Sequence, residues 1–268
     1  AQLAALDRAG RRAVAPDLPG HGRRLDEPFT VEAAIEAIDA AVQEVGGRAV
    51  VVGLSLGGYL GTAWAARHPD RAAALLLSGC STDPDTGLTG AWRRAAQLIA
   101  RLPDHGAGLN QALVDRAVPA DGAADLGAGG FALDVMVDLL DEMRRVDPRT
   151  DLGRVTCPVW FANGQWDHFR LQERAFLAAR PGARRVVVRG ATHLASLVRP
   201  VPFTRVLLEL LEEVDPPAVR AGSPSAAASA APAPSAAQAA PAGQALPAGQ
   251  AVPAGQAVPV RPAGPARP

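Results

Sequence analysis

Between residues 1 and 215 the apolar positions fall into two recurring patterns: short continuous runs, and stripes spaced three and four residues apart. RAVAP at 12–16 reads as a short buried strand, closed by the turn-rich DLPGHG at 17–22. Thr30 is placed to cap a helix whose stripe is Val31, Ala34, Ile35, Ile38, Val42 and Val45, with Gly46 and Gly47 ending it. A strand at 48–53 follows, then a helix from Leu56 to Arg67 and the strand AALLLS at 73–78. Further on come PVWFAN at 158–163, a helix at 170–179, RRVVV at 184–188 and a last helix at 203–214. In that last helix Phe203, Val206, Leu207, Leu210, Leu211 and Val214 share one face. Strands that are apolar throughout and separated by helices predict an α/β fold, a mostly parallel sheet with helices on both faces.

The alternation breaks between 83 and 150, where the pattern is mainly helical, with one amphipathic segment near 131–146 carrying Val135, Met136, Leu139, Leu140, Met143 and Val146. Its acids Asp134, Asp138, Asp141 and Glu142 read as a solvated face, and the GAGG run at 127–130 reads as a flexible loop. This block is expected to form a helical cap over one end of the sheet. The expected division is therefore a core at 1–82 and 151–215, a cap insertion at 83–150 and a tail at 216–268.

Composition sets the tail apart. Half of the 24 prolines lie beyond Asp215, and the six-residue unit PAGQAL or PAGQAV starts at Pro241, Pro247 and Pro253. Such a segment has too little large apolar surface to offset its ordering entropy, so it is expected to be disordered. Net charge is zero and all 27 basic residues are arginines, which removes a Schiff-base lysine and the lysine of a phosphate-binding P-loop. The arginines lie in scattered pairs among acids rather than in one stripe, with few aromatics to stack bases, so nucleic-acid binding is not expected. Cys80 and Cys157 are too few for a disulfide framework or a thiolate metal site, and small core residues are expected there. No two histidines show the close spacing of a helix-borne metal pair, so no metal is expected; no cofactor is expected either. No apolar segment approaches the roughly 20 residues that span a membrane, and a cytoplasmic location with no membrane partner is expected. Oligomeric state is left open.

The chemistry concentrates at VVGLSLGG, where a hydroxyl, Ser55, stands at the junction of strand and helix. A sharp turn there lifts the side chain above the carboxyl edge of the sheet, where α/β folds place their ligands. Such a turn strains the backbone and leaves little space beside it, which accounts for Gly53 and Gly57. The following helix aims its free N–H groups and positive end at the same space, so the N–H of Leu56 is the first candidate donor to an oxyanion. A bare hydroxyl needs an adjacent base oriented by a third group. Asp167 in NGQWD follows one strand and His193 in GATH follows the next, so a parallel sheet puts both at the edge that carries Ser55. Asp83, after the preceding strand, is a second candidate acid; His21, His68 and His105 read as structural or surface residues, and His168 as a residue lining the site.

The motifs Gly53-Leu54-Ser55-Leu56-Gly57-Gly58, Gly164-Gln165-Trp166-Asp167 and Gly190-Ala191-Thr192-His193, in that order, resemble the α/β-hydrolase family. DLPGHG at 17–22 resembles the turn after that family's fourth strand, and 83–150 its helical cap; the resemblance runs over about residues 1 to 214. It implies Ser55 as nucleophile, His193 as general base and Asp167 as its orienter, acting on a small ester, lactone or amide through an acyl-enzyme. Trp92, Met136, Met143 and His168 are then expected to line the substrate site. A serine nucleophile argues against the family's aspartate-using dehalogenase branch, while peptidase, haloperoxidase-like and C–C-bond hydrolase branches stay open.

Family members begin with three strands and a His-Gly loop before the segment that AQLAALDRAGRR resembles, so this sequence reads as a copy shortened at the front. That loop supplies a second oxyanion N–H, and the third strand separates those matching 12–16 and 48–53. Without it, these two strands must pair directly or leave backbone groups unpaired. A non-catalytic ligand- or partner-binding protein on the same fold is therefore the alternative reading. A dinucleotide-binding unit fits poorly, because Ser55 replaces the central glycine and no acid lies about 20 residues on.

Overall fold

The computed structural model describes residues 1–102, 104, 106–129, 133 and 135–215. The expected tail at 216–268, along with His105 and Asp134, lies outside the described residues. In chain order the elements are α1 (Gln2–Arg8), α2 (Val31–Glu44), β1 (Ala49–Leu54), α3 (Leu56–Arg67), β2 (Ala72–Ser78), α4 (Gly87–Ile99), α5 (Ala107–Ala117), α6 (Ala120–Gly129), α7 (Met136–Met143) and α8 (Pro148–Arg154). They continue with β3 (Val159–Gly164), α9 (Glu173–Ala179), β4 (Arg184–Val188), α10 (Ala195–Val198) and α11 (Pro200–Val214). The four strands form one parallel sheet in the order β1-β2-β3-β4.

Alternation along the strands sorts the core into two layers. Leu75, Leu77, Val159 and Phe161 pack into one cluster with α2, α3, α8 and α9, through Ile35, Leu60, Trp64, Leu152 and Phe176. Their neighbours Ala74, Leu76, Trp160 and Ala162 point the other way, into a cluster with Leu6 of α1 and Phe203, Leu207 and Leu210 of α11. Burial on both faces is why these strands read as unbroken apolar runs. The Trp160 ring is covered in turn by the Arg184 guanidinium, 4.0 Å from its centroid. Cys80 and Cys157 are free and buried in the first cluster.

Local signals set the helix ends. The Thr30 hydroxyl accepts a 3.1 Å hydrogen bond from the Ala33 N–H and caps α2, and Gly46 and Gly47 leave it with positive φ. The Asp147 carboxylate caps α8, whose first residue, Pro148, brings the φ a helix start requires. The region expected as one helix from 170 divides into a 3-10 turn at His168–Arg170 and α9.

Residues 12–16, expected as a strand, form none. They carry no regular secondary structure, leave Ala13, Val14, Ala15 and Pro16 exposed, and do not pair with β1. Two alanines and one valine bury little apolar area, and Pro16 has no N–H to give to a ladder. Among the described residues β1 pairs with β2 alone, so its other edge is open and Val52 is 42% exposed. Of the two arrangements expected without an intervening strand, the structure adopts the unpaired one.

Helices α4–α7 occupy the insertion between β2 and β3. The GAGG run, expected as a loop, is helical as far as Gly129, and Gly130 lies outside the described residues. Of the expected acidic face, Asp138 is exposed, but Asp141 chelates Arg93 (2.6 and 2.8 Å) and Glu142 pairs with Arg145. Arg144–Asp85 and Arg149–Asp83 pairs tie α7 and α8 to the chain just after β2. Such part-exposed pairs are screened by water and contribute little. The burial of Leu139, Met143 and Val146 in the first core cluster outweighs them.

These placements separate two substitutions. Leu76→Ala, at 0% exposure, is expected to cost about 2–5 kcal/mol of unfolding free energy. Val14→Ser is expected to change it by about 0.5 kcal/mol or less. Urea denaturation measures both, and a Val14 cost matching that of Leu76 would mean that 12–16 is packed as a strand.

Candidate active site

Strand register brings the site together. Leu54 lies beside Ser78 at the ends of β1 and β2, and Gly164 beside Val188 at the ends of β3 and β4. The chain leaves all four strands at one edge, and Ser55, Gly79, Asp167 and His193 all follow there.

Ser55 has φ 51° and ψ −116°, the one non-glycine with positive φ among the described residues. Such a conformation costs about 1–3 kcal/mol and persists only where its surroundings impose it. Here the Ser55 N–H donates to the Ser78 carbonyl at 2.7 Å, and the Ser55 carbonyl accepts from Gly58 N–H (2.9 Å) and Tyr59 N–H (3.3 Å). A side chain at position 53 would begin 2.4 Å from the Gly57 carbonyl oxygen, and one at 58 would begin 2.5 Å from Cys80 Sγ. Position 57, expected to be equally crowded, has nothing within 4 Å of a Cβ. Gly57 points outward from the first turn of α3, so Gly53 and Gly58 are the glycines that the turn requires. With the Gly58 and Tyr59 N–H groups turned onto Ser55, those of Leu56 and Gly57 remain at the helix N-terminus without a backbone acceptor among the described residues.

His193 and Asp167 are in contact. The imidazole Nδ1–H donates to Asp167 Oδ1 at 3.0 Å, which leaves Nε2 as the acceptor nitrogen. The Asp167 side chain is fully buried and that of His193 is 20% exposed. Asp167 Oδ1 also accepts from the Phe169 N–H at 2.8 Å, while Oδ2 has no partner among the described residues. Burial alone would raise the Asp167 carboxyl, but the hydrogen bonds from His193 and Phe169 outweigh it and hold the group below its ordinary value. Asp83, the other candidate acid, is engaged with Arg149 instead. The Ser55 hydroxyl makes no hydrogen bond to the imidazole among the described residues. What connects them is backbone: Ser55 is bonded to Ser78, and the next residue, Gly79, lies against the imidazole.

The two loops that carry this pair are stitched together. Gln165 N–H donates to the Val188 carbonyl (3.0 Å), Trp166 N–H to that of Ala191 (2.9 Å), and Gly190 N–H to Gln165 Oε1 (3.0 Å). Any side chain at position 164 would begin 2.0 Å from the Thr192 carbonyl oxygen, so the closeness of the loops depends on Gly164.

Around the imidazole the structure places Phe169 at 4.6 Å and His168 at 5.2 Å between ring centroids, and Trp92 of α4 stacks on His168 at 6.5 Å. Burial and then the neighbouring His193 push His168 below the ordinary histidine value. Met136 is 36% exposed at the start of α7, whereas Met143 is 4% exposed and belongs to the core cluster. His21 bonds the Pro19 carbonyl through Nδ1, and His68 stacks on Trp64. Sequence patterns did not single out Phe169 or Gly79; the positive φ of Gly79 (66°) was hidden in the ordinary dipeptide after a strand. No group of three or more His, Cys, Asp or Glu among the described residues is arranged to hold a metal ion, and none of their helices is long and apolar enough to cross a membrane.

The chain is similar to known proteins. Residues 1–206 match the family described as alpha/beta hydrolases. The pimeloyl-acyl-carrier-protein methyl ester esterase of Neisseria meningitidis is 30% identical over 241 residues, covering 78% of this chain and 72% of that protein. Lipase LipV of Mycobacterium tuberculosis is 36% identical over 130 residues, which span 47% of this chain and 44% of the lipase. An AB hydrolase superfamily protein of Gibberella zeae, 37% identical over 67 residues, is spanned over only 24% of its length. Among solved structures, a thermophilic esterase from Thermogutta terrifontis superposes with a TM-score of 0.66 at 25% identity, covering 80% of this chain and 84% of that one. With a parallel sheet, a serine held in a strained strand-to-helix turn and a match across most of its length, the chain belongs to the alpha/beta hydrolase family.

Proposed function

We propose that the protein is a serine hydrolase that cleaves a small ester, lactone or amide through an acyl-enzyme on Ser55. The observation that carries the reading is the 3.0 Å Asp167–His193 hydrogen bond, on loops at the sheet edge that also holds the strained Ser55. The names of the relatives, a methyl ester esterase, a lipase and an esterase, favour an ester among the three.

In this mechanism His193 Nε2 takes the Ser55 proton as the hydroxyl oxygen attacks the carbonyl carbon. The buried carboxylate of Asp167 holds the imidazole in the tautomer with Nδ1 protonated and stabilises the imidazolium that forms. Negative charge on the former carbonyl oxygen is met by the N–H of Leu56 at the positive end of α3. His193 then protonates the leaving group, and water, deprotonated by the same imidazole, releases the acid. His168, made less basic by burial and by the neighbouring His193, stands beside the base, and with Trp92 it offers an aromatic surface to an apolar acyl group. Met136, exposed at the start of α7, stays a candidate for the same role; the burial of Met143 assigns it to packing.

A non-catalytic binding protein is the second reading, favoured by one observation: the Ser55 hydroxyl is not bonded to the imidazole. The two readings differ in their response to a fluorophosphonate probe. The hydrolase is labelled in wild type and not in Ser55→Ala, and the binder is labelled in neither.

With p-nitrophenyl butyrate as substrate, Ser55→Ala is expected to lower kcat by about 10⁴-fold or more, and Asp167→Asn by a comparable factor through loss of the correct tautomer. Wild-type activity in Ser55→Ala would remove the serine from the mechanism. Stability carries its own pH signature. Asp167 and Glu173 are both held below ordinary carboxylate values, so their contributions are complete above that range and are lost as pH falls through the folded-state values. Thermal melts are therefore expected to fall on acidification below about pH 4–5, and the fall to be shallower in Glu173→Gln. Equal acid slopes in the two proteins would contradict the assignment.

A further inference from the structure

Behind the reactive edge lies a polar group that the mechanism above does not use. Asn163, next to last in β3, is 0% exposed. Its Cα is paired with Val187 of β4, which fixes where the side chain starts. The side-chain oxygen accepts a 2.8 Å hydrogen bond from the Gly79 N–H. The side-chain nitrogen donates to Glu173 Oε1 at 2.9 Å and to Ser81 Oγ at 3.2 Å. Chemistry fixes which way the amide faces, because an N–H must meet its oxygen and an ionised carboxylate must meet its nitrogen. Glu173 is bonded in turn by Arg170, whose Nη1 donates to the carbonyls of Gly164 (3.1 Å) and Gln165 (3.2 Å) in the loop that leads to Asp167.

Gly79 is where this network reaches the reaction. A Cβ on it would lie 2.7 Å from His193 Cε1, 2.8 Å from His193 Nδ1 and 3.3 Å from Asp167 Oδ2. Bare backbone at Gly79 therefore forms the floor on which the imidazole–carboxylate pair rests. That residue has left β2, and its N–H is held by a side chain from the neighbouring strand instead of by a sheet carbonyl.

We propose that Asn163 is a positioning residue: through the N–H of Gly79 it sets the height and tilt of the His193 imidazole over Ser55. The inference rests on the serine hydrolase reading for its consequence in rate, and on geometry alone for its consequence in imidazole placement. Shifts of a fraction of an ångström at this floor displace Nε2 relative to the hydroxyl, and a misplacement of about 1 Å can cost about 10²-fold in rate.

Three variants separate positioning from simple support. Asn163→Leu removes the acceptor at similar volume. Asn163→Asp keeps an oxygen on the Gly79 N–H but faces Glu173 with an acid, so it is expected to lose stability while keeping placement. Glu173→Gln leaves the Asn163 oxygen where it is. Measured on p-nitrophenyl butyrate, kcat is expected to fall about 10²-fold in Asn163→Leu with KM within about twofold. Asn163→Asp is expected to recover at least about tenfold of that loss, and Glu173→Gln to stay within about threefold of wild type. The rate of fluorophosphonate labelling at Ser55 and the downfield NMR resonance of the His193 Nδ1 proton are expected to follow the same order.

A folded Asn163→Leu with unchanged labelling and an unchanged resonance overturns the proposal, as does a kcat series that follows melting temperature rather than the acceptor at Gly79. Should Asn163→Leu not fold, loss of the resonance in folded Asn163→Asp or Glu173→Gln overturns it, and retention in both supports it. Should wild type neither hydrolyse nor label, the hydrolase reading fails, while the resonance across these variants still decides the placement.

Discussion

One hydrogen bond, from His193 Nδ1 to Asp167 Oδ1, is what the rest of the site is arranged around. A charge-assisted bond of this kind contributes about 1.5–3 kcal/mol, and here the carboxylate side chain is wholly removed from water. Its two ends come from loops after adjacent strands, so it exists only if β3 and β4 are parallel neighbours in one register. Gly164 lets those loops touch, Arg170 holds the first of them by its carbonyls, and Gly79 leaves room for the ring. Each is a small local choice of residue, and all serve one long-range contact.

The serine is held by different means. Its strained φ of 51° is imposed from both sides: β1 is tied to β2 through the Ser55 N–H, and α3 closes back on the Ser55 carbonyl. Gly53 and Gly58 allow strand and helix to meet at that distance, with Cys80 filling the remaining space. The strain is therefore offset by the packing of α3, whose Leu60, Ala63, Trp64 and Ala65 are at most 2% exposed. Core and site are coupled here, because loosening α3 would release the turn that presents the hydroxyl.

Elements whose formation depends on their own residues were legible in the sequence. The helix expected from Leu56 to Arg67 is α3, the strand expected at 184–188 is β4, and the Thr30 cap and glycine stop of α2 lie where composition put them. The chain order of Ser55, Asp167 and His193, together with a parallel sheet, was enough to expect them at a single edge. What could not be read locally was anything that depends on a distant neighbour. Residues 12–16 have strand composition, but a strand needs a partner, and among the described residues they pair with none. Gly57 and Gly58 look alike in sequence, and the positions of Cys80 and of the Gly53 carbonyl distinguish them. Asn163 acts on Gly79 across 84 positions of chain, so no spacing rule could have selected it. Asp83 and Asp167 were separated as candidates by Arg149, which occupies the first of them.

The central claim is that an imidazole oriented by a buried carboxylate makes the Ser55 oxygen a nucleophile. Acid-quenching the protein during turnover of p-nitrophenyl acetate and mapping the acetyl group by peptide mass spectrometry tests it most directly. The account predicts a transient acetyl adduct on Ser55 that builds up in a burst and is absent from His193→Ala. Hydrolysis with no adduct, or with an adduct confined to another residue, would contradict it.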